Sequence, residues 1–502
     1  MSGSVARGAG RVPPIRQTVL RVAFVIGFLY VTLGAGLTYW QVIKADDLTS
    51  DPGNPLVLAA RRNARPGRML DVRGTVLVDN VRAADGSNLR RYREPSFGSV
   101  IGYRSTRFGT AGLERSYDAQ LVGLLPENPL DRLLRKFQPD PYRPQDIVLG
   151  IDARLQRKAA QLLGDRRGAI VAIEPSTGRI LVLVSSPTYD ANTIVDPKKG
   201  AAAFRRLQKD PDMPLLDRST LGRYVPGSVF KVVTAIAGLG SGAITPSTVF
   251  PGQPAQEETG FRVGGFTITD GHHPQTGDKA LALDAATAVS CNIYFANVGL
   301  EVGGAGLAEW AGRLGFGSTI PFDLPVVPSI VTTGSGPDGG FADDVEVANA
   351  AFGQAETFAT PLQMALVAAA VANRGVLMTP RLVVELRDRN GVSYPRTPSI
   401  WRQVMDAADA EEVAGAMRYA VESTLGRPYA GAAKVPGVPT AGKTGTAQVG
   451  GSAKPHSWFI GFAPADNPRI AVAVLIENGG SGATGAAPLA GDLMEYALKL
   501  AP

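Results

Sequence analysis

Three short segments place reactive side chains at spacings that suit one kind of chemistry. Tyr224-Val-Pro-Gly-Ser228-Val-Phe-Lys231 sets a hydroxyl three positions before an amine. Pro226-Gly227 stops the preceding chain, and Ser228-Val-Phe-Lys-Val-Val-Thr-Ala opens an apolar helix. Residues i and i+3 share one helix face, so Ser228 Oγ and Lys231 Nζ can meet. A serine hydroxyl is a poor nucleophile until a base removes its proton. Lysine can be that base once desolvation or a neighbouring cation brings its pKa well below the free value of about 10.4. Alone, Ser-x-x-Lys arises by chance in a chain this long.

Two further segments add to it. Ser290-Cys291-Asn292 lies between two mostly apolar helical runs, Ala280–Val289 and Ile293–Val298. A hydroxyl and an amide two residues apart can relay a proton and hold a substrate amide; helix capping is the competing use. Cys291, the only cysteine, is expected to point away from its polar neighbours and pack as a small apolar group. Thr440-Ala-Gly-Lys443-Thr444-Gly445-Thr446-Ala447 puts a cation, hydroxyls and a glycine on a strand. Such a strand can hold a carboxylate and let a substrate backbone lie alongside, with Gly445 leaving room. The run from Gly437 to Thr444 also fits the spacing of a phosphate loop. Pro439 inside it, and a following GTAQVGG that reads as strand and turn rather than helix, argue against that use.

S-x-x-K, S-x-N and K-T-G, in that order, form the signature of penicillin-recognising serine enzymes. Around them stand Y-x-P-G-S-x-F-K, T-A-G-K-T-G-T-A, His456-Ser-Trp-Phe-Ile-Gly-Phe-Ala-Pro464, Ile151-Asp152 with Leu155-Gln156, Gly168–Asn192, and Thr360-Pro-Leu-Gln-Met-Ala365. In these the chain resembles the class B, monofunctional penicillin-binding proteins, closely from Asp146 onward and loosely before it. The resemblance implies an α+β fold: an antiparallel sheet flanked by helices, plus an all-helical subdomain, behind a membrane anchor and a small irregular pedestal. It implies a peptidoglycan D,D-transpeptidase that works through a Ser228 acyl-enzyme and is inhibited by β-lactams. Lys231 would be the base, and Ser290 would shuttle a proton to the leaving group. Asn292 would hold the substrate amide. Lys443 and Thr444 would fix the terminal carboxylate, with Lys443 also depressing the pKa of Lys231. Gly445 and Thr446 would border the substrate, and the backbone N–H groups of Ser228 and Thr446 would form the oxyanion hole. No metal or cofactor is implied. Partners would be peptidoglycan stem peptides or their lipid-linked precursor, β-lactams, the membrane and a wall-building glycosyltransferase. The chain departs from the family pattern at Pro66-Gly67…Asp71-Val72-Arg73-Gly74 in the pedestal, and at Gly353-Gln354-Ala355, where G-Q-G is usual. Gly112-Leu113-Glu114 matches a later pedestal motif.

These side chains need a frame. Arg154–Leu163 has helical spacing of apolar residues. Gly168–Glu174 and Arg179–Ser186, joined by Pro-Ser-Thr-Gly, read as a hairpin. Pro361–Asn373 reads as a helix ended by Gly375. Lys443–Val449, Ser457–Ala463 and Ile470–Ile476 read as strands, and Leu489–Leu500 as a final helix. Mostly consecutive strands flanked by helices favour an antiparallel sheet. Residues 44–145, rich in Arg, Pro, Gly and Asp, read as a pedestal of dimerisation type with strand-like runs at Gly74–Val78 and Ser99–Tyr103. Residues 146–502 form the catalytic domain.

Val22–Ile43 carries no charge and is long enough to cross a bilayer, which takes about 20 residues. Arg7, Arg11, Arg16 and Arg21 precede it; Asp46, Asp47 and Asp51 follow. The positive-inside bias puts residues 1–21 in the cytoplasm and the rest outside a bacterial plasma membrane, on a single span. A cleaved signal peptide is the alternative, weakened by the lack of an A-x-A site. The net charge of +6 sits mainly there: removing the five basic residues of positions 1–44 from the total of 51 leaves 46 against 45 acids. That balance gives no footprint for nucleic acid. His272, His273 and His456 lack metal-ligand spacing. A β-lactamase or β-lactam sensor of the same fold, and a non-catalytic wall scaffold, are the competing functions. The pedestal argues against the lactamase, the single span against a multi-span sensor, and the intact Ser228, Lys231 and Lys443 against the scaffold.

Overall fold

A computed structural model describes residues 15–44, 65–82, 88–123, 144–270, 273–277, 279–388 and 390–500. Arg7, Arg11, Asp46, Asp47, Asp51 and His272 lie outside them. The chain divides into two compact units, residues 1–64 with 125–141, and 65–124 with 142–502.

In the first unit an α-helix runs Ile15–Thr38 and continues as a π-helical turn, Tyr39–Ile43. It starts before the expected Val22 because Ile15, Val19 and Leu20 extend the apolar surface past Arg16 and Arg21. The stretch Ile15–Gln41 is long and apolar enough to cross a membrane, and none of it is buried against protein. At 1.5 Å per residue it spans about 40 Å.

The second unit is built on a five-stranded antiparallel sheet. Its order is Ala441–Ala447, His456–Ala463, Ile470–Ile476, Gly168–Glu174, Arg179–Ser186. Both faces are covered, which is why Ile470–Ile476 is apolar at every position instead of alternating. Ala471, Ala473 and Leu475 face one core, with Leu362 and Leu366 of helix Pro361–Ala372. Ile470, Val472, Val474 and Ile476 face the other. There they meet Leu155 and Leu163 of helix Ala153–Leu163, and Leu489 and Leu493 of helix Ala486–Leu500. Helix Pro361–Ala372 is buried along its whole length, so it has no polar face. Thr360 Oγ1 starts it by accepting the Gln363 N–H at 3.1 Å.

Beside the sheet edge formed by Ala441–Ala447 lies a group of helices: Lys231–Gly240, Leu283–Val289, Asn292–Arg313, Asp344–Ala350 and Ala407–Glu422. The fold is thus the expected sheet flanked by helices with a helical subdomain. A second, six-stranded sheet runs Ser393–Pro395, Val383–Arg387, Asp146–Leu149, Met69–Leu70, Val76–Arg82, Asn88–Tyr92. It interleaves strands from the front of the chain with strands from beyond residue 380.

Two local expectations need correction. Ser99–Tyr103 is not a strand; Gly98–Ile101 is one turn of helix, since a short apolar run does not distinguish the two. The strand expected at Gly74–Val78 is Val76–Arg82, because Asp71 Oδ1 takes the N–H groups of Arg73 and Thr75 at 2.9 and 2.7 Å and folds those residues into a turn. Asp71 Oδ2 also takes the Ala153 N–H at 3.1 Å. The ion pairing of this region centres on Glu114, fully buried, with Arg90 Nε at 2.6 Å and Arg104 Nε at 2.9 Å.

Candidate active site

Ser228 sits on a 3₁₀ turn, Gly227–Phe230, that leads directly into helix Lys231–Gly240. In a 3₁₀ turn i and i+3 nearly eclipse, so Ser228 and Lys231 lie on the same face of the chain. Close packing holds this turn. The Gly227 N–H donates to Gly353 O at 2.8 Å. A Cβ on Gly353, whose φ is +80°, would lie 2.0 Å from Gly227 O. Gly445 is required for a related reason: a Cβ there would lie 2.9 Å from Pro226 O and 3.0 Å from Trp458 Cβ. The glycine makes room for the turn that carries Ser228.

Ser228, Ser290, Asn292, Thr444 and Thr446 line one cleft of about 730 Å³. Its walls include Phe266, Phe352, Gln354, Tyr429 and Ser481. Lys231 and Lys443 do not line it; both are buried beneath. Lys231 Nζ donates to Asn292 Oδ1 at 2.7 Å, to Ser290 O at 2.5 Å and to Ser290 Oγ at 3.2 Å. Lys443 Nζ donates to the same Ser290 Oγ at 2.8 Å and to Thr444 O at 3.1 Å. A hydroxyl oxygen has two lone pairs, so Ser290 can bridge both amines. Its backbone is left-handed, φ 63°, a conformation unusual outside glycine that turns its hydroxyl and carbonyl toward the lysines.

Burial brings the Lys231 pKa down to about 8, against the opposing pull of the Asp270 carboxylate. Lys443 is pushed well below the ordinary lysine range by burial first and then by the charge of Lys231.

Around Ser290–Asn292 lie residues that no sequence motif singled out. Asp270 Oδ2 accepts the Asn292 N–H, and that of Ile293 at 3.3 Å, capping helix Asn292–Arg313 from a separate loop. Burial works to raise the Asp270 pKa, but His273 and the Lys231 charge outweigh it and hold the carboxyl low. Cys291 is buried, but it is not merely an apolar filler: its Sγ accepts the Tyr294 N–H at 3.3 Å. Burial, then the nearby Asp270 carboxylate, pushes its thiol pKa up. Glu257, His273 and Cys291 each bring one ligand atom within 4.8 Å of the others, a set that can hold a metal ion. His273 Nε2 is buried and faces Asp270 Oδ2 at 3.7 Å and Glu257 Oε1 at 3.9 Å. Sequence spacing missed this set because its members come from three separate segments.

Lys443 lies on strand Ala441–Ala447, which pairs along its whole length with His456–Ala463. No helix follows it, so the phosphate-loop reading of Gly437–Thr444 fails on its structural context.

Residues 168–495 match the family described as penicillin binding protein transpeptidase domain, and residues 67–144 match the penicillin binding protein A dimerisation domain. The peptidoglycan D,D-transpeptidase PbpA of Mycolicibacterium smegmatis is 36% identical, over 97% of this chain and 99% of its own. The peptidoglycan D,D-transpeptidase MrdA of Escherichia coli is 30% identical, over 80% of this chain and 66% of its own. Among solved structures, the ceftriaxone acyl-enzyme complex of penicillin-binding protein A from M. tuberculosis superposes with a TM-score of 0.78 at 32% identity, covering 88% of this chain and 100% of that one. The penicillin G acyl-enzyme of the same protein gives 0.74 at 31% identity, with coverage of 87% and 99%.

Proposed function

This chain belongs to the penicillin-binding protein transpeptidase family, and from that premise we propose how its residues divide the work. The protein is a serine-type peptidoglycan D,D-transpeptidase: it cross-links stem peptides through an acyl-enzyme, and β-lactams acylate it. Neutral Lys231 takes the proton of Ser228, and Oγ attacks the carbonyl carbon of the D-Ala-D-Ala bond. The oxyanion accepts hydrogen bonds from the N–H groups of Ser228 and Thr446, donors fixed before the charge develops. Collapse breaks the C–N bond, and the departing D-Ala amine takes its proton through Ser290. The amine of a second stem peptide then attacks the ester carbonyl and gives its proton to Lys231, which returns it to Ser228 Oγ as the C–O bond of the ester breaks. Asn292 holds the donor peptide's amide. Thr444 and Thr446 take the carboxylate, with Gly445 between them and Lys443 behind. An arriving carboxylate favours the charged form of Lys443.

The single observation that carries this assignment is the junction at Ser290 Oγ, where Lys231 and Lys443 meet beneath the cleft that Ser228 lines. Full-length protein incubated with fluorescent penicillin should be labelled, and Ser228→Ala should not. Mass spectrometry should place a slowly released adduct on the peptide containing Ser228. Labelled Ser228→Ala would remove the nucleophile from this position.

Residues 44–145 act as the pedestal and 146–502 as the catalytic domain in this reading. A single span near the N-terminus, supported by helix Ile15–Gln41 and the charge asymmetry about it, places the catalytic part outside a bacterial plasma membrane. A separate glycosyltransferase supplies the glycan strands to be linked.

A further inference from the structure

Glu477 stands at the end of strand Ile470–Ile476, away from the cleft lining, yet its carboxylate gathers the approaches to the nucleophile. Oε1 accepts the Tyr224 hydroxyl at 2.7 Å and Arg218 Nε at 2.7 Å; Oε2 pairs with Arg167 Nε at 3.1 Å. Arg218 is fully buried and also donates to the carbonyls of Asp212 and Met213 at 2.6 and 3.1 Å, so it anchors the carboxylate from behind. Tyr224 opens the segment that reaches Ser228. Burial, then the Glu477 charge, pushes its hydroxyl pKa up, so it remains a donor. Its ring sits edge-on to His456 at 5.5 Å and Trp458 at 6.3 Å. Trp458 Nε1 donates to Val225 O at 3.0 Å, the next link toward Ser228.

The chain leaving Glu477 reaches the other flank of the site. Ser481 lines the cleft, and the Gly482 N–H donates to Thr446 Oγ1 at 3.2 Å. A Cβ on Gly482 would lie 2.5 Å from Gly445 O, so this loop rests directly on the strand that carries Thr446. One carboxylate is thus tied on one side to the turn of Ser228 and on the other to the strand of Thr446. Those two positions supply the backbone donors of the oxyanion hole.

We propose that Glu477 is a positioning residue for acylation, acting through the Tyr224 hydroxyl to set the Ser228 turn against the Thr446 strand. The proposal rests on Ser228 being the acylated serine. Donors aimed at a developing oxyanion lose their effect with small displacements, so loosening the turn should slow the chemical step more than it weakens binding.

The test is stopped-flow acylation of full-length protein in detergent by a penicillin, with rates expressed per titratable site. Tyr224→Phe, which removes one oxygen atom, should lower the limiting acylation rate at least tenfold, with the non-covalent dissociation constant within twofold of wild type. Glu477→Gln keeps an acceptor for Tyr224 and should recover much of the rate lost in Glu477→Ala. The midpoint of the pH–rate profile should stay in place, because the base is untouched. A limiting rate per site equal to wild type in Tyr224→Phe, even with a lowered melting temperature, reduces the network to ordinary stability and overturns the proposal. A moved pH midpoint overturns it too, by assigning the effect to the base. Wild-type adduct elsewhere than Ser228 would instead overturn the parent reading.

Discussion

A lysine that serves as base must be neutral when substrate arrives, and burial brings Lys231 to about 8. Below that value the neutral fraction falls about tenfold per pH unit, so the second-order acylation rate should rise with that slope from about pH 6 and level off above about 8. A flat profile between about pH 6 and 9 would remove Lys231 from the role. The same shift bears on stability. Between about 8 and the free value of about 10.4 the unfolded chain holds the proton that the folded chain has released. The Lys231 contribution to stability therefore rises with pH across that window. Ala355 raises a different residue-level question. It stands where the family usually has glycine, lines the cleft, and has a left-handed φ of 57°. A side chain there costs roughly 1 kcal/mol relative to glycine. Ala355→Gly should raise the melting temperature while leaving acylation within a few-fold; a lowered melting temperature would show that the loop gains from the methyl group.

Elements meet at the site through glycines whose neighbours differ. Gly353 has a positive φ and no space for a Cβ, which would strike Gly227 O in the turn that carries Ser228. Gly353→Ala should therefore displace the turn and cut acylation by at least a hundredfold in whatever protein folds. Gly437 also has a positive φ, +70°, but nothing lies within 4 Å of its added Cβ. Gly437→Ala should cost only the backbone strain, about 1 kcal/mol, and leave acylation unchanged. Equal acylation loss in both variants would mean that strain, not the contact with Gly227, holds the turn.

At the scale of the whole molecule, Glu114 links its two arginines in a region whose strands share a sheet with Asp146–Leu149 and Val383–Arg387. Removing one partner of a buried pair leaves an uncompensated charge and costs about 3–5 kcal/mol. Glu114→Ala should lower the melting transition seen by active-site labelling as well as by global probes, because the sheet is continuous across both parts. Loss of signal from residues 65–123 alone, with acylation retained through the same temperature, would show that the parts unfold separately. The proposed orientation has its own measurement. External protease on spheroplasts should remove nearly the whole chain, whereas protection of the C-terminal part would reverse the topology.

The residues proposed as nucleophile, base and relay could be picked out of the chain because they sit in short segments whose spacing local geometry dictates: Ser228 and Lys231 on one turn, Ser290 and Asn292 at one helix start, Lys443 to Thr446 on one strand. The sheet was legible for a similar reason. Ile470–Ile476 and the hairpin at residues 168–186 are apolar runs that a sheet covered on both faces demands. Long-range distances carried the rest. Asp270 caps the Asn292 helix, Gly353 receives Gly227, and Glu477 receives Tyr224, none of them bound by a local period. The lowered pKa values of Lys231 and Lys443 depend on the protein that packs over both amines. The oxygen that joins them belongs to Ser290, held in a left-handed conformation at the junction of two helices. Local spacing follows from bond geometry and hydrogen-bond period, so the sequence by itself determined it. Burial and charge proximity arise only when distant segments pack, and the tertiary structure decided them.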